Sequence, residues 1–149
     1  MIFVSHNHPF LRFPKELVPR VFRCVYTGEG RSTLPAMSIV FTDAQEIRAL
    51  NRKYLQHQYD TDIITFDLGD ESGEEAELYI NLDAARRQAA EYGVTFRDET
   101  QRLLIHGALH LLGYHDGTTD EQTAIHDRED RYLSMLSTYK ERKDAGKNR

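Results

Sequence analysis

The stretch Ile105-His106-Gly107-Ala108-Leu109-His110-Leu111-Leu112-Gly113-Tyr114-His115-Asp116-Gly117 holds the residues whose types and spacing can do chemistry. His106 and His110 stand four apart. On a helix, that spacing projects both imidazoles from one face, within reach of one ion. Neutral imidazole nitrogens suit Zn²⁺, and a catalytic zinc needs a third protein ligand and an open position for water. Gly113 can take the left-handed conformation that reverses the chain after the helix. Asp116 follows three residues later with His115 beside it, and either side chain can complete the set. An isolated H-x-x-x-H is weak evidence, because paired histidines on a helix face are often structural or solvated. Here Leu103, Leu104, Leu109, Leu111 and Leu112 make the helix apolar. Two imidazoles without partners inside it would be costly. Zinc peptidases of the H-E-x-x-H kind carry their general base directly after the first histidine. Gly107 occupies that position. The motif thus offers a Lewis acid without a peptidase's base, which leaves ester or phosphodiester hydrolysis.

The elements that carry this motif can be read from periodicity. Residues 1–6 are short and apolar and read as a strand. Leu17, Val18, Val21, Phe22 and Val25 have helical spacing within residues 15–26, with Pro19 disturbing the first turn. Residues 27–32 read as a loop. Residues 37–41 are a β-branched strand candidate, and Thr42 or Asp43 then caps a helix to about Leu55. Residues 62–66 and 78–82 read as two more strands. Between them, residues 70–77 carry Asp70, Glu71, Glu74, Glu75 and Glu77 with no Lys or Arg, the pattern of a solvated acidic loop or hairpin turn. Asp83 is placed to cap a helix over 84–92 that Gly93 ends. The metal helix follows over 97–112, and a last helix over 119–139 carries Ile125, Tyr132, Leu133 and Leu136.

The order β-α-β-α-β-β-α-α-α predicts an α/β (α+β) fold. Its sheet should be small, mixed and mostly parallel, of about four strands packed with about five helices. With 149 residues, 40% hydrophobic and 29% charged, one globular domain is expected. It would span residues 1–139, and a basic, disordered tail would cover 140–149. The net charge of −5 excludes a protein that holds nucleic acid by bulk positive charge, though not one with a local groove. The single cysteine, Cys24, excludes an intramolecular disulfide and a Cys-rich zinc site, and its apolar surroundings mark it as packing. No apolar run approaches the roughly 20 residues of a membrane span, and the N-terminus does not read as a signal peptide. A cytoplasmic location is expected, with no membrane partner.

Several further residues carry two readings. Asp62 can orient a metal-site histidine or cap a strand edge. Tyr114 can stack on a base or lie as a lid over the metal helix. Glu77 reads as the end of the acidic loop. His6, His8 and His126 lack ligand spacing with the motif and read as surface or capping residues.

These blocks resemble the YbeY family, the bacterial rRNA-maturation endoribonucleases. Residues 106–116 are similar to the family's H-G-x-L-H-L-x-G-Y-D-H. Thr61-Asp62-Ile63-Ile64-Thr65-Phe66 resembles its T-[ND]-V-L-S-F strand, and Ala76-Glu77-Leu78-Tyr79-Ile80 stands in the place of its G-D-I strand. The resemblance covers most of the chain. It implies a small mixed sheet with several helices and a metal-dependent, single-strand-specific endoribonuclease. It also implies a role in 16S rRNA 3′-end maturation and ribosome quality control. Its partners would be single-stranded rRNA and the small ribosomal subunit, with no DNA expected. The family's third histidine comes ten residues after the first. Here that position is Asp116 and the histidine has moved to 115. By position, the implied ligands of one Zn²⁺ per chain are His106, His110 and Asp116, in the metzincin-like spacing H-x-x-x-H-x-x-G-x-x-[HD]. A carboxylate ligand would lower the ion's electrophilicity and alter metal preference. The family also has an arginine before its second block, thought to handle the RNA phosphate. The matching position is Leu55, which leaves Arg52, Lys53 and His57 as candidates to replace it. Arg52 is the catalytic expectation, beside His106. A ribosome-assembly factor with a structural zinc is the alternative function, and a metallopeptidase a more distant one.

Overall fold

The structure is a computed structural model that describes residues 1–55, 61–69 and 76–147; for residue 55 and for residues 138–147 it describes the backbone alone. Alternation along the strands sets the architecture. In β2 (Met37–Thr42), Met37, Ile39 and Phe41 are buried, and in β4 (Ala76–Asn81), Ala76, Leu78 and Ile80 are buried. The intervening Ser38, Val40, Glu77 and Tyr79 are only partly covered. One sheet face therefore meets the core, as period-two side chains require. β1 (Ile2–His6) and β3 (Ile63–Asp67) complete a sheet of order β1-β2-β4-β3. β1, β2 and β4 run parallel, and β3 pairs antiparallel with β4. The mixed, mostly parallel sheet matches the expectation.

α1 (Leu17–Gly28) and α4 (Phe96–Leu111) join the main core on one sheet face. α1 begins at Leu17, so Pro19 lies in the first turn, where its missing N–H is not needed. α1 also takes in Thr27 and Gly28, two residues expected in a loop. α2 (Ala44–Leu50) is capped by Asp43, whose side chain accepts from the Glu46 N–H, and continues as a π-helical turn over Asn51–Leu55. α3 (Leu82–Tyr92) is capped by Asn81 and not by Asp83. Asp83 instead accepts the Ala44 N–H at 3.0 Å and pairs with His8 at 2.7 Å. His8 is thus a buried tie between the segment after β1 and α3, not a surface residue.

α5 (Thr119–Lys147) packs Ile125, Tyr132 and Leu136 into the core. Its backbone is helical to Lys147, beyond residue 139, where the sequence predicts the helix to end. Lys140, Glu141, Arg142, Lys143 and Ala145 are helix-competent despite their charge. The acidic loop falls largely on residues 70–75, outside the described residues, while Ala76 and Glu77 already belong to β4.

Candidate metal centre

α4 begins at a Thr95 cap, which accepts from the Asp98 N–H, and has Asp98 and Glu99 in its first turn. Leu104, Ile105, Ala108 and Leu109 are fully buried and fix its rotation. Gly107 lies against the sheet so closely that a Cβ there would stand 2.6 Å from Leu78 Cδ2 and 2.8 Å from Ile63 Cδ1. That contact brings β3 and β4 up to the helix. It also fills with sheet side chains the position where a peptidase would carry its glutamate. His106 and His110 emerge beside this seam, partly exposed.

The helix ends in hydrogen bonds from Gly113 N to the His110 carbonyl and from Tyr114 N to the Leu109 carbonyl. Gly113 has φ of 101°, a conformation that side chains rarely adopt. The chain turns back there and brings Asp116 over the helix face. Tyr114 is tied at its tip and beside its ring: its hydroxyl donates to Glu29 Oε1 at 2.5 Å, and the Arg128 guanidinium lies 5.2 Å from the ring centre. Tyr132 and Arg128 of α5 bond the same carboxylate, so Glu29 ties the turn to α1 and α5. Burial raises the Glu29 pKa, but the two tyrosine hydrogen bonds and Arg128 outweigh it and hold the carboxyl below its ordinary value.

Three donor atoms converge. His106 Nε2 and His110 Nε2 are 2.9 Å apart, and Asp116 Oδ2 is 3.5 Å from each. A tetrahedral ion with bonds of about 2.0–2.2 Å sets its ligand atoms roughly 3.3–3.6 Å apart. The carboxylate distances fall in that range, and the histidine pair needs to open by a few tenths of an ångström. Among the described residues, His106, His110 and Asp116 are the group that can hold an ion in this way. His115 lines the same cleft but its ring is not in the group.

The metal face of His106 is defined from behind. Its Nδ1 lies 2.7 Å from Glu129 Oε2 on α5. A carboxylate at that nitrogen keeps the proton on Nδ1 and leaves the Nε2 lone pair for an ion. Burial pulls the His106 pKa down, but the hydrogen bond and charge of Glu129, with Asp62 and Asp116, raise it above its ordinary value. Glu129 is the residue of this candidate site that the sequence does not single out. Asp62 was the candidate for this role; it lines the cleft, and its Oδ2 accepts from Gln88 Nε2 at 3.3 Å.

The cleft in front of the ligands has a volume of about 450 Å³ and is walled by Thr61, Asp62, Ile63, Thr65 and Asp67. Arg52 and Lys53 are not part of it. Both are exposed, and Tyr54 beside them meets the Phe66 ring edge-on at 5.6 Å. Phe66 alternates with Thr65 and Asp67 and so lies on the opposite face of β3. The catalytic role expected of Arg52 is therefore not supported by its position. Leu55's side chain and His57 lie outside the described residues. A cation does stand in the adjoining cleft: Arg31 lines a space of about 470 Å³ that shares Asp67 and Leu111 with the metal cleft.

Comparison with known proteins agrees with this geometry. The family model described as "Endoribonuclease YbeY" matches residues 12–137. The Endoribonuclease YbeY of Salinibacter ruber is 36% identical over 142 residues, covering 89% of this chain and 90% of its own. That of Chlorobaculum tepidum is 39% identical over 120 residues, covering 80% and 87%. The solution structure of TM1509 from Thermotoga maritima shares the fold, with a TM-score of 0.62 at 22% identity, covering 89% of this chain and 87% of that one. With a matched segment that includes the paired histidines, the turn and Glu129, this chain belongs to the YbeY family of endoribonucleases.

Proposed function

We propose that this chain is a zinc-dependent endoribonuclease that cuts single-stranded rRNA, acting in the cytoplasm in 16S rRNA 3′-end maturation and ribosome quality control with the small ribosomal subunit as partner. Membership of the family supports hydrolysis of RNA phosphodiester bonds. The observation that carries the metal reading is the convergence of His106, His110 and Asp116 at the mouth of a cleft, with Glu129 behind. A bound zinc would supply a Lewis acid and lower the pKa of water in that cleft. His106, oriented by Glu129, and His110 would each give such an ion an imidazole nitrogen, and Asp116 would give it a carboxylate oxygen from the turn. Asp62 and Asp67 line the approach. A phosphate diester therefore needs a compensating cation, and Arg31 in the adjoining cleft is placed to meet an RNA strand entering from that side.

A structural zinc would be closed by four protein ligands, and three converge among the described residues. A peptidase would need a base where Gly107 meets Leu78 and Ile63. No helix among the described residues is long and apolar enough to cross a membrane. The test uses a fragment spanning the 3′ end of 16S rRNA, single-stranded and annealed to a complement, with zinc-loaded and chelator-treated protein. Cleavage confined to the single strand and to the loaded protein is expected. Equal cleavage of both forms, or cleavage indifferent to chelation, contradicts the reading.

A further inference from the structure

A second cleft, also about 450 Å³, opens on the far side of His106. It shares Asp62 and His106 with the metal cleft and adds Gln88, Tyr92, Glu99 and Arg102. Glu99 is the group that the metal centre does not explain. It is 2% exposed, and its Oε1 is buried with no hydrogen-bond partner. Arg102 approaches that oxygen only to 3.9 Å through Nε, and its other nitrogens bond Glu129 at 3.1 Å and Asp130 at 2.9 Å. Leaving a buried carboxyl oxygen unpaired is unfavourable, and a purely packing role is filled better by an apolar side chain. Burial raises the Glu99 pKa against the pull of Arg102, and Asp62 and Glu129 add to the rise, to about 7.

The chemistry of the walls selects the ligand. The walls carry three carboxyl groups, Asp62, Glu99 and Glu129, against Arg102 and the imidazoles of His106 and His126, and Arg102 is already bonded to Glu129 and Asp130, so a phosphate is disfavoured. Arg102 sits among the carboxylates, and no second three-ligand group forms there among the described residues, so a cation is not favoured either. A neutral ligand with N–H donors fits. Tyr92 and Val94 line the same cleft and are 64% and 42% exposed, which leaves an aromatic ring free to stack. Glu99 and His106 are seven residues apart on α4, about 10 Å along the helix axis. The nucleotide beside the reacting phosphate can span that separation.

We propose that this cleft receives the nucleobase flanking the scissile phosphate and that Glu99 reads it as guanine. This rests on RNA being the substrate. Guanine presents two adjacent donors, N1–H and N2–H, on its Watson–Crick edge, and a carboxylate accepts both. Adenine and cytosine offer one donor beside an acceptor, and uracil one donor between two acceptors. Glu99→Gln keeps the shape and replaces one acceptor with a donor.

The experiment has two arms. In the first, GMP, AMP, CMP and UMP are titrated into the full-length, zinc-loaded protein. GMP is expected to bind about tenfold more tightly than the others. Glu99→Gln should abolish that preference while unfolding at or above the wild-type temperature. Tyr92→Ala, at an exposed rim position, should weaken all four by about tenfold. Equal binding of the four, no binding, or a guanine preference that survives Glu99→Gln overturns the proposal. In the second arm, single-stranded oligonucleotides differing only in the base beside the cleavage site are compared. A wild type that cuts all equally overturns the base pocket and leaves the nuclease standing. A wild type that binds GMP through Glu99 yet cuts no RNA overturns the nuclease reading and leaves the guanine site standing.

Discussion

Glu129 lies twenty-three residues beyond His106 in the chain and 2.7 Å from its ring. Removing its charge should weaken the metal site without touching a ligand. Glu129→Gln is expected to lower zinc affinity about 10- to 100-fold, measured by competition with a chromophoric chelator. Unchanged affinity would show that His106 needs no orienting carboxylate. Glu99 gives a pH dependence of opposite sense to that of a paired carboxylate. Its folded pKa of about 7 lies above the ordinary value of 4.5, so the folded chain holds the proton more tightly. Its contribution to stability is complete at low pH and is lost as pH rises from about 4.5 to about 7. The unfolding temperature should fall across that window, and Glu99→Gln should flatten the fall. His106, His110 and Asp116 were readable because one helix and one turn carry all three. Glu129 was not, because nothing local in a long polar helix says which glutamate faces a neighbour. Arg52 lies outside the lining of the metal cleft for a related reason: closeness in sequence to β3 does not say which face of β3 the segment joins.

α4 does most of the positioning, and at Gly107 there is no room for a Cβ between the helix and Leu78 and Ile63 of the sheet. Gly107→Ala is expected to cost about 1–3 kcal/mol, because the methyl group must displace Leu78 and Ile63 in a packed core. Denaturant unfolding measures this, and zinc affinity should fall as the helix shifts off β3. A variant as stable as the wild type would show that the seam is loose. The helices and strands themselves followed from periodicity, since buried faces repeat with periods of two and about 3.6. Their ends did not, because caps compete within a few residues. Asn81 and Asp83 are both good caps, and the choice went to Asn81 because Asp83 is engaged by His8 and Ala44. α5 runs past residue 139 because the charged residue types there, which a tail also uses, favour helix.

Across the whole molecule, an acidic chain of net charge −5 has to bind a polyanion, so local cations carry the contact. Arg31→Ala should weaken binding of single-stranded RNA about equally for all sequences. It should also reduce the slope of log affinity against log salt by about 0.7. Filter binding at several salt concentrations reads both, and an unchanged slope would remove Arg31 from the RNA path. The strand order β1-β2-β4-β3 places β3 at the edge beside α4, which is what leaves a cleft at the metal ligands. The mixed sheet was legible from one hairpin following two crossover units, but the joining of clefts through Asp62 and Asp67 depends on register and loop course, which composition does not encode. If His106, His110 and Asp116 hold the ion on which RNA cleavage by this chain depends, removing one of them must abolish cleavage. The decisive measurement is the initial rate at which wild type and His110→Ala, purified side by side and supplied with zinc, cut one single-stranded rRNA fragment. Cleavage by the wild type and background rates for the variant are expected. Equal rates would show that cleavage does not depend on an ion held by these residues.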